Sequence, residues 1–389
     1  MNRVIIHLLF VSFLIISCEN KKKETAIQLT SSEIEHCKLP RVVDGSIALG
    51  FPKVKGLAPS TGKLNMTVLF VDFEDKPASQ PVDSIFSIIN PIAPNFFKEI
   101  SFGQLELNLI PHLEWLRLSQ PSSYYGDGIY EFISHLDFIQ EAVDLADEQV
   151  DFGETHTVLV ISNPEANAIA LGPTFKSRDS DYHIKADGAS ISTGITSGYD
   201  LNYWGGIWLA HEMGHTFGLP DLYHFGDEKW NRYVGTFGLM GTCDAKSPGY
   251  FAFERWILGW INDDQIYCHD KGEAVVELSA IETNGELKAA IIPLSKTSAL
   301  MVESRRKIGF DQAMPKEGVL VYVVDTSLPG GSGPIQLKPR VENGKMKEDA
   351  PLQEGDTYSF EGVSIKVLKA KDDVDVVEIK VSKNNFEIK

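Results

Sequence analysis

The chain has 389 residues, more than one hydrophobic core usually holds, so two packed units and a targeting segment are expected. Lys and Arg number 36 against 54 Asp and Glu, a formal net charge of −18. Such a surface repels phosphate backbones and argues against nucleic acid as a partner.

Taken in chain order, Arg3 gives a positive start and Val4 to Ile16 is nearly all apolar, broken by His7 and Ser12. The run is too short to span a bilayer comfortably and reads as a signal-peptide core. Leu14, Ile15, Ile16 and Ser17 then lead into Cys18, with Glu19, Asn20 and three lysines directly after. That pattern looks like a bacterial lipobox. Residues 1–17 would be removed and Cys18 would become the lipidated first residue, its two or three acyl chains anchoring the protein to a membrane. The expected location is the extracytoplasmic side of a bacterial cell envelope. Glu19 to about Glu35 is polar and reads as a tether.

The first strong strand signal is Met66 to Phe73, apolar throughout and so expected in the middle of a sheet. Asn95 to Ser101 reads as a short helix and Gln104 to Leu109 as a strand. Phe132, Leu136, Ile139, Val143 and Ala146 recur at spacings of four and three and predict an amphipathic helix. Thr157 to Ser162 is a second apolar strand. Gly188 to Ile195, rich in Ser, Thr and Gly, reads as an edge strand, and an apolar helix is expected from about Asn202 to Phe217. Beyond Cys268 the pattern becomes a series of short β-like runs: Ala274 to Leu278, Ala289 to Ile292, Val319 to Val324, Val363 to Val367 and Val374 to Ile379. Pro329 to Asp349 reads as a long loop. The fold class expected is α+β, a mixed sheet with helices over residues 60–265 and a β-rich unit over 266–389, preceded by a tether and N-terminal segment over 18–59.

The chemistry concentrates between His211 and Asp221. His211 and His215 are four apart, so on a helix they project from one face and can hold one ion. Two imidazoles make a poor zinc site, and a catalytic one normally has three protein ligands and an open position for water. Gly218 tolerates the backbone conformation that ends a helix and Pro220 cannot continue one, so the chain can turn back and offer the Asp221 carboxylate. Glu212 is placed to take a proton from metal-bound water. The helix is flanked by Ile207, Trp208, Leu209 and Ala210 before and Phe217 and Leu219 after. Polar groups in so apolar a helix need a reason, and a metal supplies it. Glu254 is the rival third ligand, although Phe253, Trp256 and Leu258 around it suggest a packed helix with a charge at its edge. His224 reads as a loop residue.

The extended motif resembles that of the metzincin clan, and the variant with Asp as third ligand, followed by Leu222 and Tyr223, resembles the immune inhibitor A family of secreted metallopeptidases. Leu69 to Asp75 is similar to that family's opening strand. Phe237 to Gly241 resembles its methionine turn, with Met240 beneath the metal. Phe253 to Trp260 resembles the helix closing its catalytic domain, and Gly309 to Thr326 a strand region further on. The resemblance implies a metzincin-like zinc peptidase domain, one catalytic zinc on His211, His215 and Asp221, Glu212 as general base, and protein or peptide substrates; calcium alongside the zinc is left open. Thr242 stands where some metzincins carry an oxyanion-stabilising Tyr, a role open to Tyr223 or Tyr250. The competing function is a surface lipoprotein that binds peptide or glycan around a non-catalytic zinc. With Cys18 lipidated, Cys37, Cys243 and Cys268 remain. Cys37 with Cys268 would pin the start of the fold to the end of the catalytic region; Cys243 with Cys268, or Cys37 plugging the zinc as a thiolate, are the alternatives.

Overall fold

The computed structural model describes residues 34–226, 229–340 and 347–382. Cys18 and the signal segment lie outside them. Described elements include, in order, β1 (Gly62–Asp72), α1 (Val82–Ile89), α2 (Ile92–Ile100), β2 (Leu105–Arg117), α3 (Ser122–Gly128), α4 (Phe132–Ala146), β3 (Thr157–Ser162), β4 (Thr174–Lys176), β5 (Ile184–Ala186), β6 (Ala189–Ile191) and β7 (Thr193–Ser197). There follow α5 (Leu201–Trp204), α6 (Ile207–Thr216), α7 (Ala252–Ile257), β8 (Ile266–Cys268), β9 (Gly272–Ser279), β10 (Ala289–Pro293), β11 (Ser298–Arg305), β12 (Gly318–Asp325), β13 (Ile335–Leu337), β14 (Thr357–Phe360), β15 (Val363–Ala370) and β16 (Val374–Val381). The chain is a mixture of helix and sheet, of class α+β.

The first sheet runs β2-β1-β3-β7-β4, parallel except for β4, which pairs antiparallel with β7. Alternation along β1 sends Leu64, Met66, Val68 and Phe70 to one face and Leu69 and Val71 to the other, where α4 covers them. The first face shares a core with α1, α2, α6 and α7. A second sheet, β13-β12-β11-β10-β8, closes that core from the far side: Ala289, Ile291, Leu320 and Tyr322 enter it. Their neighbours Ala290, Ile292, Val319 and Val321 face a third sheet, β14-β15-β16-β9. The second sheet is thus a middle layer, apolar on both faces.

Three expectations are corrected. Gly188 to Ile195 is not one edge strand. Asp187 and Gly188, both at positive φ, turn β5 into the β6 hairpin, while β7 lies inside the sheet between β3 and β4. Its threonines are buried because they bond internally, Thr193 Oγ1 to Thr157 Oγ1 at 2.7 Å and Thr196 Oγ1 to His135 Nε2 at 2.8 Å. The edge is β4. The helix expected over 202–217 breaks at Gly205 (φ 59°) and Gly206, where a Cβ would lie 2.2 Å from the Ile88 carbonyl oxygen. The long loop from Pro329 to Asp349 contains β13, which pairs with β12.

Residues 34–60 form a strap along the end of α6. The Ala58 N–H donates to Thr216 O and the Ala48 N–H to Gly218 O, so carbonyls at the end of the helix find partners outside it. Phe51 packs edge-on to Trp256 and Phe253, and a disulfide between Cys37 and Cys268 (Cα–Cα 6.1 Å) closes the strap onto β8. Cys243 is a free, half-buried thiol.

Candidate metal centre

Helix α6 buries Trp208, Leu209, Ala210 and Met213, which fixes its rotation and aims His211 and His215 together, ring centroids 5.1 Å apart. After Thr216 the helix ends at Gly218, φ 95°, whose N–H donates to His215 O while the Leu219 N–H donates to Gly214 O. Pro220 follows, and Asp221 returns to the helix face. His211 Nε2 and His215 Nε2 lie 3.3 and 3.2 Å from Asp221 Oδ1.

Each imidazole is fixed from behind. His211 Nδ1 donates to Leu239 O and His215 Nδ1 to Leu219 O, both at 2.8 Å. In the neutral ring this leaves Nε2 without a proton and its lone pair facing inward. Asp221 Oδ1 is buried and has no hydrogen-bond partner. Three potential donor atoms therefore converge within 4.8 Å of one another. Such a group requires positive charge at its centre, either as a cation or as bound protons. The same demand shows in the balance of charges around these groups. Burial pulls the His211 imidazole down most strongly, yet Asp221, Glu212 and the Leu239 carbonyl together hold it up at about 9. Burial likewise pushes Asp221 up, but His215 and His211 draw it well below the ordinary carboxylate range. Two neutral imidazoles and one carboxylate, each oriented by an outer bond or turn, fit zinc in number and kind.

Beneath the site, Gly238 (φ 77°) bends the chain into the short helical turn Leu239–Gly241. Met240 is fully buried there against Gly214, where a Cβ would sit 2.3 Å from its Sδ and 2.9 Å from the Tyr250 hydroxyl. The Leu222 N–H donates to Met240 O, tying the Asp221 loop to the same turn. From the second sheet, the loop between β12 and β13 reaches across: the Gly331 N–H donates to Asp221 O, and Gly331 O accepts from the Phe225 N–H.

Glu212 is half-exposed on α6, and its Oε2 accepts from the Thr174 hydroxyl at 2.8 Å. Glu254 is not gathered at the site. Contrary to a charge at a helix edge, it is wholly buried, its Oε2 accepting from the Phe251 N–H at the start of its own helix. Tyr250 is committed elsewhere, its buried hydroxyl donating to Ala210 O. Tyr223 lies beside Asp221, and burial together with the Asp221 and Glu212 charges holds its hydroxyl above its ordinary pKa. His224 is half-buried rather than on a free loop, its Nδ1 3.2 Å from Gly331 O. Among the described residues one other cluster of possible ligands gathers, His36 with Cys37 and Cys268, and both its sulfurs are spent in the disulfide.

Several residues at the site carry no motif. Lys176 on β4 is half-buried; burial lowers its pKa, and the Glu212 and Asp221 charges oppose that. Asp200 accepts from the Gly172 and Gly198 N–H groups at 2.8 Å each and so fastens the loop leading into β4, its pKa pushed up to about 6 by burial. Neither models of known protein families nor curated proteins match the chain.

Proposed function

We propose that this protein is a zinc-dependent peptidase of metzincin type, similar to the immune inhibitor A family, acting on extracytoplasmic proteins or peptides. The observation that carries the reading is the convergence of His211 Nε2, His215 Nε2 and Asp221 Oδ1, both rings held from behind at Nδ1 by backbone carbonyls, beside the half-exposed carboxylate of Glu212. Three protein ligands with a free fourth position is the pattern of catalytic rather than structural zinc. The buried methionine turn under α6 and the parallel sheet beside it support the metzincin kinship.

When bound, zinc lowers the pKa of a water to about 7 and polarises the carbonyl it touches. Glu212 takes the proton of the attacking water and hands it to the leaving nitrogen. Strand β4 ends its sheet, so an extended peptide can pair along its outer side once the Lys176 Nζ bond to the Thr174 carbonyl gives way. With the Tyr250 hydroxyl committed to Ala210 O, Tyr223 beside Asp221 is the tyrosine left for the oxyanion role. A peptide-binding lipoprotein with an inert zinc would have no use for a proton acceptor beside the ligands. In this reading lipidated Cys18 holds the enzyme at a bacterial envelope, and the Cys37–Cys268 bond supports an oxidising compartment.

The test is hydrolysis of unfolded casein, with and without a chelator, beside metal analysis of variants. His211→Ala and His215→Ala are expected to lose the single zinc and Asp221→Ala to hold it weakly. Glu212→Gln is expected to keep zinc and fold while hydrolysis falls about 10²- to 10⁴-fold. Normal activity in Glu212→Gln, or full zinc in Asp221→Ala, would sink the assignment.

A further inference from the structure

Strand β4 is three residues long, and its alternation divides the work. Phe175 points into the core shared with α4, stacked on Phe132, so Thr174 and Lys176 face α6. The Thr174 hydroxyl lies 2.8 Å from Glu212 Oε2 and 3.1 Å from the Glu212 carbonyl. A hydroxyl has one proton to give, and the carboxylate is both nearer and charged, so it receives the bond. The donor is held rigidly. Thr174 is 9% exposed, its side chain is β-branched with restricted χ1, and its backbone is in register with Ile195 of β7. Lys176 Nζ closes back on the Thr174 carbonyl at 3.3 Å.

Glu212, by contrast, is a long side chain on the open face of its helix, with three rotatable bonds. Left alone it would sample many orientations, and only a few would put an oxygen near the water it must deprotonate. We propose, on the peptidase reading above, that Thr174 is the positioning residue of the general base. Its hydroxyl holds Glu212 Oε2, which leaves Oε1 to face the attacking water. The proton then passes from water oxygen to Oε1 as the O–C bond forms, and from Oε1 to the amide nitrogen as the C–N bond breaks. The carboxylate ends as it began. Thr174 touches neither substrate nor the transferred proton; it acts through Glu212.

The experiment compares Thr174→Val, which keeps the shape and removes the hydroxyl, with Thr174→Ser, which keeps the hydroxyl. For Thr174→Val the expected result is a kcat about ten- to a hundredfold lower, the loss of one charge-assisted hydrogen bond in the reactive arrangement, with KM and zinc content within about twofold of wild type. Thr174→Ser should recover most of the loss, which a packing role for the threonine methyl would not allow. A readout without activity comes from melting of the metal-free protein in a double-mutant cycle of Thr174→Val with Glu212→Ala. If the bond exists, Thr174→Val should cost less in Glu212→Ala than in wild type, the Glu212 carbonyl at 3.1 Å remaining as the hydroxyl's second partner. An unchanged kcat in Thr174→Val, a Thr174→Ser as slow as Thr174→Val, loss of zinc together with activity, or additive melting shifts would each overturn the proposal. A wild-type chain that binds zinc yet cleaves no peptide overturns the peptidase reading itself. It is told apart because no variant comparison of rates then exists, while the melting cycle still reports the contact.

Discussion

Gly214 sits between the two histidines, and it is glycine because Met240 and Tyr250 press on the helix backbone at that point. Gly214→Ala would drive a methyl to 2.3 Å from the Met240 sulfur. Overpacking of this kind costs about 1–3 kcal/mol, and here the strain falls on the turn whose Leu239 carbonyl orients His211. The expected outcome is a lower melting temperature together with weaker zinc binding, read by calorimetry and by competition with a chelator. A variant that melts early but holds zinc as tightly as wild type would show that the turn supports the fold and not the ligand. The convergence of His211, His215 and Asp221 was legible in the sequence because helical spacing is fixed: four residues bring His215 over His211 whatever surrounds them, and Gly218 with Pro220 marks where the chain turns back. The partners of those ligands were not legible. Leu239 and Leu219 act through backbone carbonyls that any residue carries, and Thr174 is one threonine in a three-residue strand nearly forty positions before Glu212.

At the scale of elements, α7 shows what a hydropathy pattern misses. Glu254 is buried with Oε1 unpartnered, and burial raises its pKa from 4.5 to about 8. The folded state therefore keeps a proton that the unfolded chain gives up, so this group lowers stability as pH rises from about 4.5 and stops doing so above about 8. Glu254→Gln removes the penalty. Measured at pH 5 and pH 8, its melting temperature relative to wild type should rise by a few degrees at the higher pH; a gap that does not move with pH would mean Glu254 is ionised in the fold. Strand β11 was missed for a related reason: Glu303 and Arg305 look like surface charges, yet both are fully buried, with Arg305 Nε bonded to Glu303 at 2.6 Å and Nη1 3.1 Å from Asp311. Strands β1, β3, β10 and β12 carried continuous apolar runs and could be read directly, since burial on both faces leaves no polar alternation.

Across the whole molecule, the start of the described chain is tied to its middle. The Cys37–Cys268 bond spans 231 positions, and removing so long a cross-link typically costs about 2–5 kcal/mol. The strap it secures supplies the Ala48 N–H to Gly218, so Cys37→Ala with Cys268→Ala is expected to lower both the melting temperature and the zinc affinity; an unchanged affinity would show that the strap holds its place without the bond. Anchoring is tested separately. Cys18→Ser should move the protein from the membrane fraction to the soluble one, and a mature N-terminus elsewhere without acyl chains would refute lipidation. The β12–β13 loop completes the enclosure, its Gly331 N–H held on the carbonyl of Asp221. This bridging sets an order of events in biosynthesis. A ribosome delivers residue 221 more than a hundred positions before residue 331, so a nascent chain carries both histidines and the carboxylate well before the brace that steadies them. On the peptidase reading proposed above, the centre gains this brace only late in synthesis, and the partly made chain would lack a steadied site.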